Sequence, residues 1–186
     1  MQIINKLQYN SVVVLSFFLI SFLAFILNFI TNGKTNKILF SSYRSSLLNP
    51  LTYVRLITHI FGHANWQHFM NNFLYILLIG PMIEEKYGSK NLIIMILITA
   101  AVTGIINMIF SKNKMILGAS GVVFMMIVLS SFVNIETGKI PITLILICVF
   151  YVVNEIVSGI FKKDNVSHLG HLIGAALGFV FGFYVF

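Results

Sequence analysis

The chain has 186 residues, of which 58% are hydrophobic and 9% are charged, and its formal net charge is +7. Soluble domains carry about 25% charged residues, so this composition excludes an ordinary water-soluble enzyme and a disordered protein. The 12 lysines and arginines are scattered along the chain, and we therefore expect no nucleic-acid partner. The single cysteine, Cys148, excludes both a disulfide framework and a cysteine-based metal site.

Six stretches with few charges predict membrane-spanning helices, because a helix of about 20 apolar residues crosses the ~30 Å hydrocarbon core. The stretches lie near 11–30, 67–83, 91–110, 119–134, 141–160 and 168–186. The first stretch lacks a small-residue cleavage site, so we interpret it as a retained span and not as a signal peptide. Since no repeat or linker divides the chain, we expect residues 1–186 to form one all-α membrane domain.

The connection between the first two predicted spans, residues 31–66, is the longest and is only half polar. Its apolar side chains predict a segment that lies on the membrane or dips into it: Leu47, Leu48, Leu51, Val54, Leu56, Ile57, Ile60 and Phe61. A connection of this length is usually functional.

Polar residues cluster around the second span. His59, His63 and His68 have no carboxylate in register, so we expect no metal at these histidines. His68 and Asn72 are four residues apart, on one helix face, and both can donate a hydrogen bond to a developing oxyanion.

The sequence Gly118-Ala119-Ser120-Gly121 begins the fourth span. Glycines beside a serine allow backbone to approach a ligand closely and leave N–H groups free at a helix start. This is the geometry of an exposed nucleophile with a backbone oxyanion site. The alternative is a patch of small residues at which helices pack.

The sixth span begins with two histidines, His168 and His171. His171, Gly174 and Gly178 share one helix face, so another helix can approach closely there. If that helix is the fourth span, His171 can reach the Ser120 hydroxyl as a general base; a hydrogen-bonding or packing histidine is the alternative. Glu155 has no evident position behind His171, and a Ser–His dyad is therefore predicted.

These motifs, in this order, resemble the rhomboid family of intramembrane serine proteases over roughly residues 53–180. The resemblance implies a bundle of six transmembrane helices with a long, membrane-dipping first loop. It also implies that Ser120 is the nucleophile and His171 the general base. His68, Asn72 and the Ser120 amide would then form the oxyanion hole. His168 is the competing base, but counting from it places His171 and Ala175 where the family has glycines.

Further residues match supporting positions of the family. They are Gly118 before the nucleophile, His63 beside a water-retaining cavity, Arg55 in the first loop, Glu84 with Gly88 at the end of the second span, and Phe124, whose ring would stack on the base. Two departures are Ile173, where the family usually has glycine, and Val54, which replaces the aromatic residue before the loop arginine.

The resemblance implies an endopeptidase that cleaves membrane-spanning proteins in the bilayer and uses no cofactor or metal. It also implies a bacterial cell membrane protein whose N-terminus lies inside the cell and whose active site faces outside. Four basic residues would then lie inside and eight outside, whereas the positive-inside rule favours the reverse. One alternative is a catalytically silent rhomboid-like protein that binds membrane clients. The other is a small transporter, with a proton or ion path formed by His59, His63, His68 and Glu155. The oligomeric state is not predicted.

Overall fold

The computed structural model describes residues 8–110, 114–136, 139–161 and 167–184, and all regular elements of these residues are helical. The helices are α1 (Val12–Ile30), α2 (Lys34–Ile38), α3 (Pro50–Thr58), α4 (Trp66–Tyr87), α5 (Ser89–Phe110), α6 (Ser120–Ser130), α7 (Ile142–Ile147), α8 (Val153–Phe161) and α9 (His168–Tyr184). A 3₁₀ turn, His59–Phe61, follows α3. A π-helical turn, Cys148–Val152, joins α7 to α8.

Three of these helical stretches are long and apolar enough to cross a membrane. They are Val12–Ile30, Ser89–Phe110 and Ile142–Phe161, with mean hydropathies of 2.7, 2.5 and 2.3. The all-α class is thereby confirmed, and each predicted span coincides with a helix among the described residues. That all six cross the bilayer remains a prediction, since α4 is not among these three helices and α6 and α9 are shorter. The fourth predicted span, α6, ends at Ser130 and not near residue 134, and the Ser130 hydroxyl there donates to the Ile127 carbonyl.

Helix α6 lies at the centre of the bundle. Seven of its 11 residues are buried: Val122, Val123, Met125, Met126, Ile127, Val128 and Leu129. The outer helices instead expose large apolar side chains, such as Phe29, Phe150 and Phe161. A helix that is apolar on its outer surface is stable where that surface meets lipid, so this arrangement fits a bilayer with α6 shielded from it.

Glycines allow α6 and α9 to touch through their backbones. A Cβ atom on Gly174 would overlap the carbonyl oxygen of Gly121, and one on Gly178 would lie 2.5 Å from the carbonyl oxygen of Met125. The predicted contact between the fourth and sixth spans, along the glycine face of the sixth, is therefore confirmed.

The segment between α1 and α4 is folded and not extended. It contains α2 and α3, and Arg55 holds α3 to the irregular stretch before it. The Arg55 guanidinium donates to the Tyr43 hydroxyl at 2.9 Å and to Ser45 Oγ at 2.8 Å, and it lies over the Tyr43 ring. Arg55 is only 3% exposed, so its charge serves the internal structure of this segment. Whether the segment dips into a membrane remains a prediction.

Glu84 joins the end of α4 to the beginning of α1. Its carboxylate accepts hydrogen bonds from the backbone amides of Val13 and Val14, at 3.0 to 3.2 Å, and from Ser89 Oγ at 2.6 Å. The first amides of a helix have no intrahelical acceptor, and the helix dipole favours an anion there. Glu84 therefore caps α1 from a distant part of the sequence.

We expect Gly174→Val and Gly178→Val each to destabilise the protein, because the added side chain must separate α6 from α9. Overpacking of this kind typically costs about 1–3 kcal/mol. Ala176 lies on the exposed side of the same helix, so Ala176→Val is the matched control. Thermal unfolding in detergent measures the effect. Melting temperatures equal to the control in both glycine variants would contradict the close contact.

We expect Glu84→Gln to lower the free energy of unfolding by about 1–3 kcal/mol, because a buried charged acceptor of several N–H groups is lost. The adjacent Glu85 is exposed, and Glu85→Gln should leave stability within about 0.5 kcal/mol of the wild type. Chemical unfolding of both variants in the same detergent compares them. Equal stability of the two would show that the α1 cap contributes little.

Candidate active site

The loop before Ser120 is fixed by backbone hydrogen bonds from two sides. Ile116 and Ser42 exchange N–H···O bonds at 2.8 and 2.9 Å, which ties this loop to the segment between α1 and α4. The Gly118 amide donates to the His59 carbonyl at 2.9 Å. Ser120 then begins α6, where the first amides have no acceptor within the helix. The serine hydroxyl and free N–H groups are therefore presented at one place.

Gly118 brings this loop against two side chains of α4. Its φ angle is +117°, and a Cβ atom at this position would lie 2.6 Å from His68 Nε2 and 3.5 Å from Asn72 Nδ2. A residue with a side chain fits neither the backbone angle nor the space. His68 Nδ1 lies 3.5 Å from the Ala64 amide and accepts from it, which leaves Nε2 as the protonated nitrogen. Two N–H donors of α4 thus lie beside the loop that leads to Ser120.

His171 lies in the first turn of α9 with two defined contacts. Its Nδ1 is 2.5 Å from Glu155 Oε1. Its ring stacks on the Phe124 ring, with centroids 4.4 Å apart and an interplanar angle of 9°. Phe124 is one helical turn after Ser120 in α6, so the stack holds the imidazole against the helix that carries the serine.

The sequence predicted no acid behind His171, and this prediction is wrong. Glu155 is 7% exposed, and the same oxygen that meets His171 lies 2.7 Å from His168 Nδ1. A carboxylate within an apolar span is costly and is a candidate functional group for that reason, which was the available signal. Its direction could not be read from helical spacing, because the π-helical turn changes the register before α8.

Ser120 and His171 lie at the same end of the α6–α9 pair. Gly121 follows the serine, and its Cβ would lie 3.4 Å from the carbonyl oxygen of Gly170, which precedes the histidine. Among the described residues no hydrogen bond joins the two side chains. A cavity of about 20 Å³, large enough for about one water molecule, opens beside Ser120. Its lining includes three polar residues that the sequence did not connect with the serine, namely His59, Thr103 and Ser167.

His59 and His63 are buried and act as internal hydrogen-bonding groups. His59 Nδ1 donates to the Arg55 carbonyl at 3.1 Å, and burial lowers its pKa to about 4. His63 Nδ1 donates to the Phe61 carbonyl at 3.2 Å, and burial, with the neighbouring His68, lowers its pKa to about 3. Both imidazoles are therefore neutral at neutral pH. His63 also packs on His68, with ring centroids 5.1 Å apart.

Within the described parts of the chain, the group with metal-binding capacity is Glu155 with His168 and His171, whose ligand atoms lie within 4.8 Å of one another. The prediction of no metal at His59, His63 and His68 concerns other residues. Among the described residues, those three histidines form no such group with a carboxylate. The nitrogen atoms of His168 and His171 that face Glu155 are already engaged as hydrogen-bond donors.

Comparison with known proteins places the chain in a family. The rhomboid domain model matches residues 50–186, and the chain belongs to the rhomboid family. It is 30% identical over 174 residues to the rhomboid protease GluP of Bacillus subtilis, covering 87% of this chain and 34% of that protein. It is 30% identical over 135 residues to the rhomboid protease GlpG of Salmonella newport, covering 68% of this chain and 48% of that protein.

The chain is also similar to a plant protein. The chain is 26% identical over 140 residues to rhomboid-like protein 11, chloroplastic, of Arabidopsis thaliana, covering 68% of this chain and 50% of that protein. The chain therefore spans about half, or less, of the length of these relatives. The family is shared by bacterial and plant proteins, and its bacterial relatives named here are proteases.

We expect the free energy of unfolding to fall as the pH drops from 7.5 to 5. An imidazole in the unfolded chain protonates near pH 6.5, whereas His59 and His63 stay neutral in the native protein down to about pH 4 and 3. The unfolded state then binds more protons, at up to about 1.4 kcal/mol per pH unit for each histidine. Unfolding in detergent at several pH values measures this slope. His59→Gln and His63→Gln should flatten it, and an unchanged slope in both would contradict the assignment.

Proposed function

We propose that this chain is an intramembrane serine endopeptidase, with Ser120 as nucleophile and His171 as general base. The observation that carries the proposal is the backbone contact of α6 with α9, which brings the helix starts bearing these two residues together. Membership of a family that contains the proteases GluP and GlpG supports it. We further propose that residues 1–186 act as one domain with six spans.

The proposed reaction is acyl transfer to the serine and then to water. The nitrogen of His171 that does not face Glu155 takes the Ser120 proton as the hydroxyl oxygen attacks the scissile carbonyl. His68 Nε2–H, Asn72 Nδ2–H and the Ser120 amide donate to the oxyanion that forms. His171 returns the proton to the leaving amine, and a water molecule hydrolyses the acyl-enzyme by the same steps. Loss of one oxyanion donor typically costs on the order of 10²–10³ in rate.

The proposed substrates are membrane-spanning proteins, because the helices around the site are apolar on their outer surface and would lie in a bilayer. A substrate helix must unwind locally, since the carbonyl groups of a helix are hydrogen-bonded and shielded from attack. No cofactor takes part in the proposed reaction. Glu155 is engaged with His168 and His171 and not with His59, His63 or His68, which weighs against the ion path that a transporter would need.

We expect Ser120→Ala and His171→Ala each to abolish cleavage of a membrane-spanning reporter in proteoliposomes, because each removes a group that takes part in bond breaking. His168→Ala should retain far more activity than His171→Ala. Ser130→Ala, at the other end of α6, is the control for loss of a serine hydroxyl in this helix. Gel analysis of the reporter measures cleavage, and thermal unfolding establishes that the variants are folded.

Three results would contradict the proposal. An active Ser120→Ala variant would exclude a serine mechanism at this site. An inactive His168→Ala variant together with an active His171→Ala variant would make His168 the base. A wild-type protein that binds the reporter without cutting it would indicate a catalytically silent family member.

We propose that Ser120 faces the outside of a bacterial cell, against the count of basic residues. Lys112, which the sequence puts on the same side, lies outside the described residues, but Lys114 is described and exposed. In a Cys148→Ala background, Lys114→Cys should react with a membrane-impermeant thiol reagent added to intact cells. Lys139→Cys, in the next connection, should not react. The reverse labelling would show that the active site opens to the cytoplasm.

A further inference from the structure

Among the described residues, Glu155 is the carboxylate hydrogen-bonded to the proposed base, and its position needs an explanation. It is 7% exposed within an apolar helix, and its Oε1 lies 2.5 Å from His171 Nδ1 and 2.7 Å from His168 Nδ1. An ionisable group inside a membrane span is costly unless it has partners, and such groups are usually functional. The two imidazole N–H groups supply those partners.

The helix that carries Glu155 is modified just before it. The π-helical turn Cys148–Val152 ends three residues before Glu155. Each residue of an α-helix turns by about 100°, so the wider turn rotates the face that all later residues present. Turns of this kind are frequent at functional sites. At the other end of α8, a Cβ atom on Gly159 would lie 3.1 Å from His168 Cβ, so α8 and α9 approach closely. Both features bring the carboxylate to α9.

We propose that Glu155 is a positioning residue that fixes the tautomer and orientation of His171. The inference rests on the proposed function. A carboxylate oxygen only accepts hydrogen bonds, so it requires His171 Nδ1 to carry a proton. Nε2 is then unprotonated, which is the state that can take the Ser120 proton. When it does, the ring becomes a cation beside an anion, and the carboxylate stabilises that charge.

His168 has a different part in this arrangement. It donates to the same oxygen as His171, from one turn earlier in α9. It therefore gives the carboxylate a second hydrogen bond, which holds it in place beside His171. The sequence offered His168 as a competing base, and this contact gives it another role. The three residues form a hydrogen-bonded group, which we name the Glu155 group: Glu155, His168 and His171.

The test is the steady-state kinetics of Glu155→Gln in proteoliposomes with a membrane-spanning reporter. The amide has the same size, but its NH₂ group can donate to His171 Nδ1 and so favour the wrong tautomer. We expect kcat to fall on the order of 10²-fold or more, with little change in KM, because the substrate-binding groups are untouched. Glu155→Asp retains the charge and should recover part of kcat. Glu136→Gln, an exposed carboxylate, is the control and should match the wild type.

The outcomes separate this inference from the proposed function. If Ser120→Ala is inactive and Glu155→Gln has wild-type kcat, the serine mechanism stands and the role of Glu155 is wrong. If Ser120→Ala is active, the proposed function itself fails. A loss in Glu155→Gln that appears only as a lower melting temperature, with kcat restored at lower temperature, would indicate a purely structural residue. Inactivation of the wild type by EDTA and its recovery with zinc would show that the Glu155 group is a metal site, and would also overturn the proposal.

Discussion

The backbone contact between α6 and α9 is the constraint on which the rest of this structure depends. Lipid tails are as apolar as the side chains of a membrane helix, so the hydrophobic effect does not drive two such helices together. They associate instead through close packing and polar contacts. Glycine at 121, 174 and 178 allows that closeness. Ser120 directly precedes Gly121, and His171 lies one helical turn before Gly174. The contact that joins the helices therefore also sets the relative position of the two proposed catalytic residues.

Buried polar groups hold the remaining elements around this pair. Glu84 caps α1, Arg55 organises the segment before α4, and the His59 carbonyl binds the loop before Ser120. In each case a donor meets an acceptor, which avoids the cost of an unsatisfied group in an apolar environment. These hydrogen bonds join residues far apart in the sequence. The bond from the Gly118 amide ties the loop before Ser120 to the 3₁₀ turn that precedes α4.

Much of the fold could be predicted from the sequence, because hydropathy and charge gaps report directly on helices in a membrane protein. The glycine spacing around His171 predicted the α6–α9 contact, because small residues on one helix face allow another backbone to approach closely. The folded α2 and α3 could not be predicted, because they depend on contacts between separate parts of the segment. Arg55 of α3 meets Tyr43 and Ser45, and Asn36 of α2 donates to the His63 carbonyl. Glu155 was missed because a π-helical turn, which spacing does not reveal, decides where it points.

The central claim is that Ser120 is a nucleophile activated by His171. Incubation of the detergent-purified protein with a fluorophosphonate, followed by peptide mass spectrometry, tests this claim most directly because it needs no knowledge of the substrate. The account predicts a covalent adduct on Ser120 that forms in the folded wild type and at a much lower rate in His171→Ala. An adduct that forms on another residue, or on Ser120 at the same rate in both proteins, would contradict it.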